Sequence, residues 1–306
     1  MAEECPDNFR PLRKPDNTSI PFFAYGIFKE KEIAWPRIEK FVERSENYEL
    51  DDFGLKIRNG LAIAVAQKSA QIAGSIHYSN SNNDKLYETI CSSEPDSQFE
   101  WKIVDIPKIG SVNLLVGKKP NKDTSEEIES DWSSSKDEAF GYCLKYISKV
   151  VEENEPSLRD PNPLSNERSW YAFFAVQSVY LLTWSVLERY LRLALGEDMP
   201  IFKKLAHLSG SDDFKESLDQ VPTSSFKAYD SRSPNRGEPK TKLEDWYLIR
   251  NNVAHRGKDS FKNRKLLPAA TELLAVLNIF FPKVIFGLSE HWRMIDYQPK
   301  NIEKSK

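Results

Sequence analysis

The chain has 306 residues, longer than one typical core, and 40% of them are hydrophobic and 12% aromatic, so packed interiors and two domains are expected and disorder is excluded. Its 43 basic and 46 acidic residues leave a formal charge of −3, which excludes a protein-wide positive field for nucleic acid and leaves only local sites. Three cysteines, Cys5, Cys91 and Cys143, make neither a CxxC pair nor an even disulfide framework.

Residues 1–19 are polar and proline-containing, without the apolar stretch of a signal peptide, so a flexible N-terminus and a cytoplasmic location are expected. A β-rich half follows over 20–120. IPFFAYGIF (20–28) is a short apolar run with a glycine, LAIAVA (61–66) follows an Asn59-Gly60 turn signal, and QIAGSIHY (71–78), FEWKIVDI (99–106) and VNLLVG (112–117) read as further strands. Residues 30–44, EKEIAWPRIEKFVER, suggest a helix whose start Pro36 limits. The expected unit is a small mixed β-barrel with one helix.

From 121 to 138 the chain is polar, acidic and serine-rich, the composition of a linker. The half over 139–290 reads as an all-α helical bundle: helices are expected over 139–153, 168–195, 243–256 and 264–281, with a proline-rich stop at 154–167, a breaker at Gly196, a loop-rich stretch over 197–241, and a tail over 291–306. The uncharged run Trp170–Leu187 approaches membrane-spanning length, but Gln177, Ser178, Thr183 and Ser185 and its continuation into ERYLR favour a core helix and no membrane. The fold class expected is therefore α+β in two domains.

LIRNNVAHRGK (248–258) sets Arg250, Asn251 and His255 on one helix. At about 100° per residue, Leu243, Trp246, Tyr247, Arg250 and Ala254 share a stripe, while His255 falls about 140° around from Arg250. A guanidinium cannot give up its charge, so this face must meet a phosphate or a carboxylate such as Glu188. Two copies across a two-fold axis would line a cleft with two arginines and two histidines.

The segment resembles the motif of the HEPN family, Arg, four to six residues, then His, with a polar residue after the arginine. The preceding SVLERYLRLAL, the HRGK at the helix end and the final leucine-rich helix belong to the same likeness over about 139–287. That resemblance implies a metal-independent endoribonuclease, toxin-like or defence-associated and dimeric through this half. His255 would take the proton from a ribose 2′-OH, Arg250 would hold the phosphate and Asn251 would complete the site. Arg256, Lys258 and Lys262 form the local basic run that would bind RNA. A non-catalytic nucleotide-binding or interaction module is the alternative.

FAYGIF (23–28), NGLAIAVAQ, QIAGSIHY and Glu94 ahead of PDSQFEW are together similar to the gamma-glutamylcyclotransferase-like fold over about 20–120. The resemblance implies that Tyr25, Gly26, Ile27 and Phe28 cradle a small-molecule ligand and that Glu94 moves a proton on its α-amino group, so that the amine closes a five-membered lactam. Phe28 stands where leucine is usual and Trp101 where many members carry arginine. This half is expected either as a sensor or docking module or as a small-molecule enzyme with the helices serving for dimerisation. The four histidines are scattered, and no HExxH, P-loop or GxGxxG occurs, so neither a metal nor a cofactor is expected.

Overall fold

The structure, a computed structural model, describes residues 10–58, 60–118, 128–159, 167–196, 199–225, 241–256 and 265–285. The chain is α+β, with one five-stranded open mixed sheet and eight α-helices among these residues. It divides into two compact units, Met1–Asp137 with Tyr190–Met199, and Glu138–Arg189 with Pro200–Lys306.

The first unit is built on strands β1 (Phe22–Ala24), β2 (Val42–Arg58), β3 (Leu61–Ser79), β4 (Phe99–Ile106) and β5 (Gly110–Gly117), in the order β2-β3-β1-β5-β4. All pairs are antiparallel except β1 with β5. The expected barrel is thus corrected to an open sheet: β2 and β4 are its two edges. β1 is only three residues long, but it is fully buried at the centre and carries the chain into residues 25–28. It lies tight on β3, where a Cβ at Gly74 would come within 2.5 Å of the Ala24 carbonyl oxygen.

The helix expected over 30–44 is not formed as such. Pro36 sits in the first turn of a four-residue helix, α1 (Trp35–Ile38), Lys31 takes a left-handed φ of 68°, and from Val42 the chain pairs with β3. The strands expected over 61–66 and 71–78 are one strand. Between them the register jumps from Phe53↔Ala66 to Asp51↔Gln71, with Asp52 and Ser69 at positive φ and the Ser69 N–H donating to Asp52 Oδ1 at 3.0 Å. The break in the hydrophobic pattern is a bulge rather than a turn.

Helix α2 (Asn83–Cys91) buries Leu86, Tyr87, Ile90 and Cys91 and ends just before Glu94. Part of the expected linker, residues 129–137, packs on the sheet: Leu55 and Glu129 exchange backbone hydrogen bonds of 2.8 Å, Ala73 N–H donates to Ser130 at 2.7 Å, and Trp132 is buried with its indole N–H on the Gly60 carbonyl at 3.0 Å.

The regular elements described in the second unit are helices: α3 (Tyr142–Leu158), α4 (Glu167–Leu195, its last six residues belonging to the first unit), α5 (Ile201–Gly210), α6 (Asp212–Asp219), α7 (Lys242–Arg256) and α8 (Leu266–Val284). α5 and α6 occupy a stretch expected as loop. α4 ends at Gly196, whose φ of 94° favours glycine. α4 and α8 are both long and apolar enough to cross a membrane, and 56% and 61% of their most apolar windows are buried inside the protein, as in core helices. Several buried polar groups here are matched: Glu272 accepts from the Ser224 N–H at 2.7 Å and the Trp246 indole at 3.2 Å, and Tyr180 donates to the Trp246 carbonyl at 2.6 Å.

Candidate functional site

Because β1 stops at Ala24, residues 25–28 turn off the centre of the sheet, closed by the Lys29 N–H on the Gly26 carbonyl at 2.9 Å and the Ala34 N–H on the Ile27 carbonyl at 2.9 Å. Glu94 approaches from the end of α2, where its carbonyl takes the Leu12 N–H at 2.9 Å. Tyr25, Gly26, Ile27, Phe28 and Glu94 line a single recess together with Phe22, Ala24, Leu61, Ala62, Phe99 and Leu115. The recess has about 410 Å³ of empty space, part of it open to solvent. A Cβ at Gly26 would meet nothing within 4 Å, so the backbone there is approachable.

The electrostatics follow from apolar walls. Burial pushes the Glu94 carboxyl up to about 7, against the pull of the Arg37 guanidinium. Burial likewise raises the Tyr25 phenol well above its ordinary range, opposed by a hydrogen bond from the Ala64 backbone and reinforced by Glu94. Arg37 is anchored by Ser93 and by Ser92, the latter at 3.2 Å. No described residue donates a hydrogen bond to the Glu94 side chain, which leaves its oxygens for a ligand. A carboxyl titrating near neutrality in a small recess can take a proton from, and return it to, a bound group.

His77 does not line the recess but holds the backbone of Phe28, which does, and sequence reasoning passes over it. Its ring is fully buried on β3 against Trp35, with centroids 4.9 Å apart. Nε2 lies 3.0 Å from the Phe28 carbonyl and Nδ1 lies 3.0 Å from the Ser45 hydroxyl. A carbonyl only accepts, so Nε2–H donates to Phe28 and Nδ1 accepts from Ser45. Burial lowers His77 to about 4, which keeps the neutral ring that this arrangement needs. Trp101 lies outside the recess lining, packing on Phe22 and Tyr87 and donating to the Arg13 carbonyl at 2.8 Å.

The second set of sequence-marked residues lies on α7. Arg250 is about one quarter exposed and its Nη2 lies 3.0 Å from Glu188 Oε1 on α4, an ion pair without the directionality of a hydrogen bond. Nη1 donates to Asn251 Oδ1 at 3.3 Å, the guanidinium carbon is 5.7 Å from the Tyr247 ring centre, and Nε is buried with no hydrogen-bond partner. Asn251 is buried, whereas Ala254 and His255 are exposed, so the buried stripe ends at Arg250. Arg250 and Asn251 are thus brought together, and no described contact joins His255 to them. Arg256 closes α7, and Lys258 and Lys262 lie outside the described residues. No group of three or more histidines, cysteines and acids that could hold a metal occurs among the described residues.

No family model matches this sequence, and no curated protein or solved structure is significantly similar to it.

Proposed function

We propose that the first unit is a gamma-glutamylcyclotransferase-like module and that the protein binds, and turns over, a small γ-glutamyl compound at Glu94. The observation that carries this reading is the gathering of Tyr25–Phe28 and Glu94, far apart in sequence, around one recess. In its ionised form Glu94 takes a proton from the ligand's α-ammonium group. The freed amine attacks the γ-carbonyl of the same molecule, forming the lactam C–N bond while the γ-amide C–N bond breaks. Glu94 gives its proton to the departing nitrogen, and the regenerated carboxylate takes the second proton that the ring nitrogen sheds on becoming the lactam N–H, and passes it to the released amine. Both reacting groups lie in one molecule, so a single proton carrier suffices.

The test is release of 5-oxo-L-proline from a panel of γ-glutamyl amines and dipeptides by the full chain. Glu94→Gln should lower turnover by roughly 100-fold or more, the scale of a lost general base. Failure of the wild-type chain to release lactam from any of them, or equal rates in the variant, would remove the catalytic reading.

A second reading, a metal-independent HEPN-type endoribonuclease acting as a cytoplasmic dimer in toxin-like or defence biology, is supported by one observation. Arg250 keeps an exposed edge and an unpartnered Nε beside Asn251, with His255 exposed on the same helix. It stands second because Glu188 already meets the Arg250 charge within the chain. An RNA phosphate would have to displace that carboxylate, and a partner copy would have to bring a second His255 to the arginine. Under this reading mixed RNA is cut by the wild-type chain in EDTA, and Arg250→Ala and His255→Ala each abolish the cutting without unfolding. RNA left intact by the wild type counts against it.

A further inference from the structure

Arg58 is a buried cation with no counter-charge among the described residues. Only 5% of the residue is exposed, yet no described carboxylate comes within ion-pairing distance of it. Its Nε is buried without a hydrogen-bond partner, and its Nη2 reaches only the Lys118 carbonyl, at a marginal 3.5 Å. Neighbouring Lys118, by contrast, is matched by the Asp96 carboxylate at 3.1 Å. Arginine does not escape such a position by losing its proton, and a buried charge without a partner is strongly unfavourable.

Arg58 is not itself among the residues that line the Glu94 recess, but its cross-strand partner is. Arg58 ends β2 directly opposite Leu61, so the two side chains share a face, and Leu61 lines the recess. The carbonyl that Nη2 reaches follows Gly117, the cross-strand partner of Phe99, and Phe99 and Leu115 form the adjoining wall. A Cβ at Gly117 would fall 2.0 Å from Ile63 Cγ2. The missing side chain therefore lets the end of β5 close on β3 and bring this carbonyl over to Arg58.

We infer that Arg58 is an oxyanion site: the ligand of the recess carries a carboxylate or a phosphate that docks on the Arg58 fork while the rest of the molecule reaches toward Glu94. A planar fork whose Nε has no partner and whose Nη2 is held only marginally matches either oxyanion in a two-bond geometry. From the preceding reading this takes only that the recess receives a ligand, not that Glu94 turns it over.

The experiment measures thermal unfolding and calorimetric binding of the full chain with inorganic phosphate and, separately, glutarate, against chloride at equal ionic strength. A saturable rise in unfolding temperature with one of the two is expected, and which one answers identifies the oxyanion class. In Arg58→Gln that binding should weaken at least tenfold, and in chloride this variant should be no less stable than the wild type, because an uncompensated charge has been removed. Glu94→Gln should keep the oxyanion response, and a wild-type chain that shows this response but releases no lactam defeats the catalytic reading and spares this one. If Arg58→Gln does not fold, Arg58→Lys, charged but without the fork, should bind measurably more weakly. The inference is overturned if neither oxyanion shifts the wild type, or if the glutamine and lysine variants bind as well as the wild type. It is also overturned if Arg58→Gln couples energetically to neutralisation of Asp123, Glu126 or Glu127, which lie outside the described residues, since the counter-charge would then be the chain's own.

Discussion

Two buried titratable residues flank the Tyr25–Phe28 turn, and they tie stability to pH with opposite signs. His77, lowered to about 4 from 6.5, binds its proton more readily in the unfolded chain, so its contribution is complete above pH 6.5 and is lost as pH falls toward 4. Glu94, raised to about 7 from 4.5, binds its proton more readily in the folded chain, so its contribution is complete below pH 4.5 and is lost as pH rises through 7. Each pKa unit corresponds to about 1.4 kcal/mol, so either group alone moves stability by roughly 3 kcal/mol, and together they offset one another between pH 4.5 and 6.5. Glu94→Gln uncovers the imbalance. Its stability relative to the wild type should be unchanged at pH 4 and should grow by roughly 3 kcal/mol by pH 8, read from urea unfolding across that range. A difference between the two proteins that does not change with pH would mean that Glu94 is not held in an apolar site. The same ionisation ties any lactam formation to pH, with activity rising as Glu94 loses its proton near 7.

At the scale of elements, what the sequence shows is what a local pattern can carry. β4 coincides with the strand expected over 99–106, and α4, α7 and α8 fall within a few residues of their expected spans, because each has a sustained period or a clear breaker at its end. β2 is not legible, since VERSENYELDDFGLKIR is mostly polar: it is an edge strand held by its ladder to β3, and long-range pairing overrides local preference there. The same ladder converts the end of the expected 30–44 helix into strand. α5 and α6 are short, and two or three buried residues each are too few to stand out from a loop. The candidate site divides along the same line. Tyr25–Phe28 and Glu94 are legible through a resemblance, and the recess brings them together. Arg58 and His77 are not, because nothing near either residue in sequence shows that the first has no counter-charge among the described residues or that the second holds a carbonyl from a distant turn. Arg250 is legible only as far as its charge. The need for an anionic partner follows from chemistry, and the choice of Glu188 belongs to the packing of α4 against α7.

For the whole molecule, the first unit is not a continuous stretch of chain. The sheet ends at Gly117, but residues 129–137 add two backbone connections to β2 and β3, the buried Trp132, and Ser134, whose N–H and hydroxyl donate to buried Glu32 at 2.7 and 2.6 Å. The chain then leaves and supplies Tyr190–Met199, where Gly196 lies so close to Arg37 that a Cβ would sit 2.8 Å from its Nη2. A unit assembled this way should be divisible only at a cost. A fragment of residues 1–120 strips the Trp132 slot and leaves Glu32 buried without its donors, and it should show no cooperative unfolding. Residues 1–137 restore both and should unfold cooperatively, though less stably than the same strands in the full chain, because Arg37 has lost the neighbour that 190–199 provides. Trp132→Ala in the full chain isolates the first effect and should destabilise the sheet by roughly 3–5 kcal/mol, the range for emptying a large aromatic site, read from hydrogen exchange of the β2 and β3 amides. Equal stability of the two fragments, or unchanged exchange in the variant, would show that residues 129–137 merely lie on the sheet and that the strands alone hold the Glu94 recess.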